Sequence, residues 1–271
     1  MRSIIIRAAL ILAAITAAAP VFAQGKPQVI TIPLSSPGEP YELDIGILSA
    51  RIEVIGEARE DLEFAVTVEQ SSRRIITPSG TQPITIGAYS LEVDEDDNQV
   101  SVDTDWRADK VNIVARVPQR GNLYLSTTND GEIIVSNVIG NLEMDNTNGP
   151  ITATGISGSV IAETVNEDIE VSFTNLDGNN AMSLISINGN IDLGIPGNAG
   201  AQLHIDTAKG EIYSDFEVEV QASEPVVERR EDRGGVEVRV ESVIIANVNG
   251  GGPVVRLETL NGDIKISNSG N

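Results

Sequence analysis

The chain has 271 residues, 40 of them acidic and 18 basic, for a formal charge of −22, and only 3% are aromatic. Such an acidic surface repels nucleic-acid backbones and anionic lipid, so nucleic acid is excluded as a partner. No cysteine and only one histidine, His204, are present, which removes thiol chemistry, disulfides and thiolate metal sites, and leaves little for histidine-based zinc sites or relays.

The first 23 residues read as a signal peptide. Arg2 and Arg7 lead into an apolar run from Ala8 to Ala19, and Val21 and Ala23 supply the small residues of a cleavage site before Gln24. The run is short for a ~20-residue membrane span, and no second anchor follows, so the mature chain is expected to lack a transmembrane segment. Cleavage removes two arginines and makes the chain two units more negative.

Residues 24–120 form an N-terminal β region in which period-two alternation dominates. Leu62, Phe64, Val66 and Val68 alternate with Glu63, Ala65 and Thr67. Val111, Ile113, Ala115 and Val117 run into Pro118, which cannot donate to a ladder and ends the strand. Shorter alternations are Ile52–Val54, Ile84–Ile86 and Val100–Val102.

Residues 121–271 are periodic. Aligned on Ile133, Ile151, Ile169, Ile191, Ile212 and Ile264, six copies of one unit appear, spaced 18, 18, 22, 21 and 52 residues apart. Two places before each isoleucine stand Gly131, Gly149, Glu167, Gly189, Gly210 and Gly262, and three before stand Asp130, Asn148, Asn166, Asn188, Lys209 and Asn261. Upstream, apolar pairs such as Leu142/Met144, Met182/Leu184 and Val255/Leu257 precede a small polar residue: Asn146, Ser186 or Thr259 in these three.

A period near twenty marks a solenoid, whose coils bury their apolar faces only by stacking. The expected fold is therefore all-β: a β-solenoid, parallel β-helix-like, of ~18–22-residue coils preceded by further β-strands and continuous with them. Stacking at ~4.8 Å would build aliphatic ladders inside and an asparagine–glycine ladder at one corner. Asn-Gly between alternating strands is also a hairpin signal, but the near-constant register favours stacked coils. The corner glycines are expected to supply left-handed backbone, which would leave Glu167 strained. The charged stretch 222–238 reads as an excursion of two strands and a loop, after which 247–255 returns to a last coil that could cap the C-terminal edge.

The stretch from Val111 to Phe173, with its Val-Pro strand end, leucine pair and repeated Asn-Gly-x-Ile turns, resembles a bacterial putative-adhesin family of unknown function. Gly262-Asp263 matches that family's Gly-Asp turn literally, Gly131-Glu132 and Gly210-Glu211 are close, and Gly149-Pro150 and Gly189-Asn190 depart from it. The resemblance covers roughly residues 41–271. It implies an exported, non-catalytic binding or structural module in the periplasm, at the cell surface or outside the cell, whose ligand is an unidentified surface, glycan or protein. It brings no catalytic residue, metal ligand or cofactor.

The residues themselves point the same way. Asp94, Asp96, Asn98 and Asp105 imitate a calcium loop, but Gln99 stands where the turn glycine belongs and the flanks read as strands; a solvated turn is expected. Glu132, Asp168, Glu211 and Asp263 before the repeat isoleucines, with Glu170 and Asp192 after them, are outward polar positions that could also form a stripe attracting divalent cations. Paired carboxylates could instead hydrolyse a glycoside, but a lone Trp106 and regularly spread acids argue against a sugar cleft. His204, between Leu203 and Ile205, should face outward, and Gly155–Ser159 lacks the second glycine of a nucleophile elbow. The alternatives are thus a carbohydrate-active β-helix enzyme and a cation-binding envelope protein.

Overall fold

The computed structural model describes residues 27–68, 91–104, 110–129, 131–176, 182–221, 226–232, 235–241 and 243–270. The signal segment, the Ile84–Ile86 alternation, Asp105, Trp106 and Asp130 lie outside them.

Every regular element among the described residues is a strand, and no helix there is long and apolar enough to cross a membrane. The N-terminal strands are β1 (Gln28–Pro33), β2 (Tyr41–Ile47), β3 (Ala50–Glu57), β4 (Asp61–Val68), β5 (Leu91–Asp96), β6 (Gln99–Thr104) and β7 (Val111–Pro118). Then come β8 (Gly121–Thr127), β9 (Glu132–Ser136), β10 (Ile139–Asn146), β11 (Ile151–Thr164), β12 (Ile169–Leu176), β13 (Met182–Ser186) and β14 (Ile191–Ile195). The chain continues through β15 (Ala201–Thr207), β16 (Ile212–Ser214), β17 (Val218–Gln221), β18 (Val226–Asp232) and β19 (Gly235–Glu241). It ends with β20 (Ile244–Val248), β21 (Val254–Thr259) and β22 (Ile264–Asn268). Twenty strands share one sheet, while β18 and β19 pair only with each other.

The repeat units stack in parallel and in register. Ile52, Ile133, Ile151, Ile169, Ile191, Ile264 and Ile212 are successive partners across β3, β9, β11, β12, β14, β22 and β16. A second column runs through Ile45, Leu125, Met144, Ala162, Leu184, Leu257 and Ile205. All of these except Ile212 are buried. At ~4.8 Å spacing each aliphatic side chain covers the one below, so period-two alternation in one coil becomes a continuous core only with neighbours. Asn148-Gly149 does not close a hairpin, because the flanking β10 and β11 pair in parallel.

The corner glycines answer a different demand from the one expected. None of Gly131, Gly149, Gly189, Gly210 and Gly262 has positive φ. What excludes a side chain is close approach. A Cβ on Gly149 would stand 1.6 Å from the Gly131 carbonyl oxygen, and one on Gly189 would stand 1.9 Å from that of Glu167. Glu167 has no positive φ either, so the strain expected there does not arise. Its carbonyl accepts a hydrogen bond from Ser186 Oγ at 3.0 Å. The left-handed region is used at other turns, by Asp97 (φ 51°), Asn98 (φ 64°), Asn137 (φ 58°) and Asn249 (φ 48°).

Two polar ladders hold the corner. Inside, Asn146 Nδ2, Thr164 Oγ1 and Thr259 Oγ1 donate to the carbonyls of Gly131, Gly149 and Gly189 in the adjacent coil, at 3.1, 3.2 and 2.9 Å. Outside, Asn166 donates to Asn148, Asn188 to Asn166 and Asn261 to Asn188, at 2.8, 3.0 and 2.7 Å. These bonds satisfy backbone acceptors that would otherwise be buried unmet.

The last coil does not cap the stack, contrary to expectation. Strands β21 and β22 lie between β13–β14 and β15–β16. Val255, Leu257, Ile264 and Ile266 fit apolar columns on both sides, and a coil apolar on both stacking surfaces is better used inside than at an end. Antiparallel β20 and β17 close that edge over β15. The other end repeats the arrangement, since β2–β3 lie between β6–β7 and β8–β9. There β5 pairs antiparallel with β6, and its Glu92, Asp94, Glu95 and Asp96 make a charged edge that discourages further pairing.

Candidate functional site on the carboxylate face

The alternation that buries Leu43 and Ile45 turns Glu42 and Asp44 outward on β2. A two-residue turn at Asp97-Asn98, positive in φ at both residues as the hairpin I′ turn requires, folds β5 back along β6. The register then sets Asp94 opposite Ser101, Ser101 beside Asp44, Asp44 beside Tyr124 and Tyr124 beside Glu143. Glu42, Asp44, Asp94, Asp96, Ser101 and Tyr124 line an open cleft of about 490 Å³. Tyr124 is 41% exposed, so its ring is available as a flat wall.

The cleft opens on a wider acidic face. Glu92 lies opposite Asp103 at one end, and Asp145 lies beside Glu163 further along. Among the described residues, the ion pairs engage Arg51, Arg59, Arg116, Arg256 and Lys265, none of them with these carboxylates. Partial burial, and then the charge of Asp103, raise the Asp44 carboxyl above the ordinary aspartate range; burial does the same for Asp145.

A raised folded pKa favours the native state at low pH, and that advantage is lost as pH rises through the folded value. Asp44→Asn should therefore raise the melting temperature at pH 7 by roughly 1–3 °C, a small effect because the group is solvent-exposed. The gain should shrink as pH falls and vanish in acid, once Asp44 is itself protonated. Calorimetry of both proteins across that range checks it, and a gain that persists in acid would defeat the account.

The other expected candidates are drawn into the scaffold. Asn98 is buried and clips the loop before β2, accepting from Ser36 N at 2.8 Å and donating to Ser36 O at 2.9 Å. Glu95 accepts from Ser35 N at 2.9 Å, and that bond holds its carboxyl below the usual range. Asp94 and Asp96 thus face the cleft while Asn98 does not join them.

Asp168 Oδ1 accepts from Asn190 N at 2.6 Å, Asn190 Oδ1 from Asp263 N at 2.9 Å and Asp263 Oδ1 from Glu211 N at 2.8 Å. This third ladder gives Asp168, Asn190 and Asp263, each just before a repeat isoleucine, a structural role. Arg51 Nε donates to Glu132 at 2.8 Å, Lys265 Nζ to Asp192 at 2.9 Å and the Tyr213 hydroxyl to Glu211 at 2.7 Å. Glu170 is exposed and lies between Thr152 and Asp192. His204 is half-buried beside Gln202, with its Nε2 3.3 Å from Gln202 Oε1. Ser157 sits within the irregular middle of β11. Among the described residues, no three His, Asp or Glu side chains gather as metal ligands do.

Sequence reasoning missed Glu42, Asp44 and Tyr124. The available signal was the intervening position of each apolar-x-apolar pair, where Asp44, Tyr124 and Glu143 align. The cleft offers acceptors, negative charge and one phenol ring, a set suited to cationic groups or hydroxyl donors.

No curated protein matches the chain. Three solved structures are similar to it. A putative cell adhesion protein from Clostridium sporogenes aligns at 10% identity and TM-score 0.48, covering 90% of this chain and 100% of that one. A putative adhesin from Bacteroides fragilis aligns at 12% identity and TM-score 0.40, covering 89% and 97%. One from Parabacteroides distasonis aligns at 10% identity and TM-score 0.30, also covering 89% and 97%. The family described as Toastrack DUF4097 matches residues 119–267, the span of the stacked corners and more than half of the chain, and the chain belongs to that family.

Proposed function

We propose that the protein is an exported, non-catalytic adhesin-like module of the cell envelope or surface. Its parallel ladders are read as the coils of a β-solenoid, with residues 1–23 as signal peptide, 24–120 as an N-terminal β region and 121–271 as repeat coils continuous with it. The observation that carries this reading is how the polar groups divide. Corner acids and amides are spent on backbone and ion-pair ladders that hold the coils together. The remaining carboxylates spread over a broad outer face around one open cleft. A rigid scaffold presenting an extended charged face suits recognition of a surface.

The test uses the exported protein, whose mature terminus should be Gln24 by mass spectrometry. Immobilised on beads, it should be retained saturably by glycan- or protein-coated surfaces without releasing reducing sugar. Sugar release abolished by Asp44→Asn or Asp94→Asn would replace this reading with the carboxylate glycosidase. Tight, stoichiometric calcium uptake lost in Asp94→Ala and Asp96→Ala would favour the cation-binding envelope protein.

A further inference from the structure

A second open cavity, also of about 490 Å³, lies where strands β12 and β14 end. The end of β12 forms one wall, and two turns form the rest. The first turn joins β14 to β15 and is closed by Ala199 N donating to Pro196 O at 2.9 Å. The second joins β20 to β21 and is closed by Gly251 N donating to Val248 O at 3.0 Å. Asn249 Nδ2 clamps the turns together, donating to Ala199 O at 2.9 Å and to Gly197 O at 3.2 Å. Beside this clamp the two backbones touch. A Cβ on Gly200 would stand 2.2 Å from Gly251 O, and one on Gly252 would stand 2.3 Å from Gly200 O. The walls are thus fixed in advance, which spares a ligand the cost of ordering them.

The chain carries −22, yet no ionisable side chain lines this cavity. It is lined instead by the exposed Asn175 and Asn198, the Thr174 hydroxyl, Leu176, the rings of Pro196 and Pro253, and glycine backbone. Amides and hydroxyls both donate and accept, while the leucine and the two prolines add apolar C–H surface. A cation or an anion finds no opposite charge here. An extended peptide finds no strand edge to join, because β12, β14 and β21 are each paired on both sides. A ligand that is neutral, hydrogen-bonds in both directions and carries apolar ring faces matches the lining, and the volume is that of a small-molecule site.

We infer that this cavity binds a short uncharged saccharide. The inference rests on the proposed recognition role for where that saccharide stands, on an exposed surface. The binding itself uses a site separate from the carboxylate face, so the two readings can fail independently.

An array of neutral, acidic and amino oligosaccharides, probed with the full exported chain, tests it. A neutral oligosaccharide should bind best, and its titration into isotope-labelled protein should shift the backbone amides of Asn175, Asn198, Gly200 and Gly252. Asn175→Ala and Asn198→Ala, on separate elements, should each weaken binding by roughly threefold to tenfold with the melting temperature unchanged. Raising salt to about 0.5 M should leave this affinity intact, while retention through the carboxylate face should fall. Surface retention that salt abolishes, with no neutral saccharide bound, would overturn the inference and leave the charged face standing. Preference for charged sugars, shifts confined to other residues, or indifference to both substitutions would overturn it as well. A neutral saccharide bound here without any retention on coated surfaces would support the pocket and sink the adhesin-like role.

Discussion

Gly149→Ala should destabilise the protein by about 3 kcal/mol or more, at the upper end of what overpacking costs. The added methyl would stand 1.6 Å from the Gly131 carbonyl oxygen and 2.8 Å from Asn146 Nδ2. The first obstacle is backbone, which has no rotamer to adopt, so the two corners must move apart. Separation also stretches the bonds that Asn146 makes to Gly131 and Thr164 makes to Gly149. Gly38→Ala is the control. Gly38 has φ +88° and nothing within 4 Å of a built Cβ, so its substitution carries backbone strain alone, about 1–2 kcal/mol. Denaturant unfolding compares the two, and equal losses would mean that the corner glycine serves conformation rather than close approach.

Much of this fold was legible in the alternation and the twenty-residue spacing. Ile133, Ile151 and Ile169 were expected to align, and they are successive partners. Asn148, Asn166, Asn188 and Asn261 were expected to form a ladder, and they are hydrogen-bonded in that order. The spatial order of the coils was not legible. The Ile264 unit has the same apolar columns as the Ile191 and Ile212 units, so nothing in its pattern distinguishes an interior place from a terminal one. Reading Gly149 as a left-handed residue failed because glycine serves two purposes, and its sequence neighbours do not reveal what another coil brings within 2 Å. The acids posed the same difficulty. Asp168 and Asp44 look alike in a string of alternating residues, yet Asp168 lies over the next coil's N–H and Asp44 opens into a cleft completed by β5. A local hairpin that folds β5 back on β6, and a long-range stacking order, made that difference.

Ile151→Ala should cost roughly 2–5 kcal/mol, as large-to-small core changes usually do. Ile151 is fully buried between Ile133 and Ile169, so the missing atoms leave a gap in a column whose backbone is pinned on both sides. Thr152→Ala, one residue along and outward beside Ile134 and Glu170, should change stability by about half a kcal/mol or less. A hairpin would bury Ile151 too, so the decisive measurement is pairing. The chain has no cysteine, which leaves a clean background for crosslinking. Ile134→Cys with Thr152→Cys puts thiols on directly paired residues of β9 and β11, within disulfide reach for neighbouring strands. Asp145→Cys with Thr152→Cys would be opposed only in a hairpin closed at Asn148-Gly149. The first pair should oxidise readily and the second should not. Crosslinking of 145 to 152, with 134 and 152 remaining free, would overturn the parallel stack and the coil reading built on it.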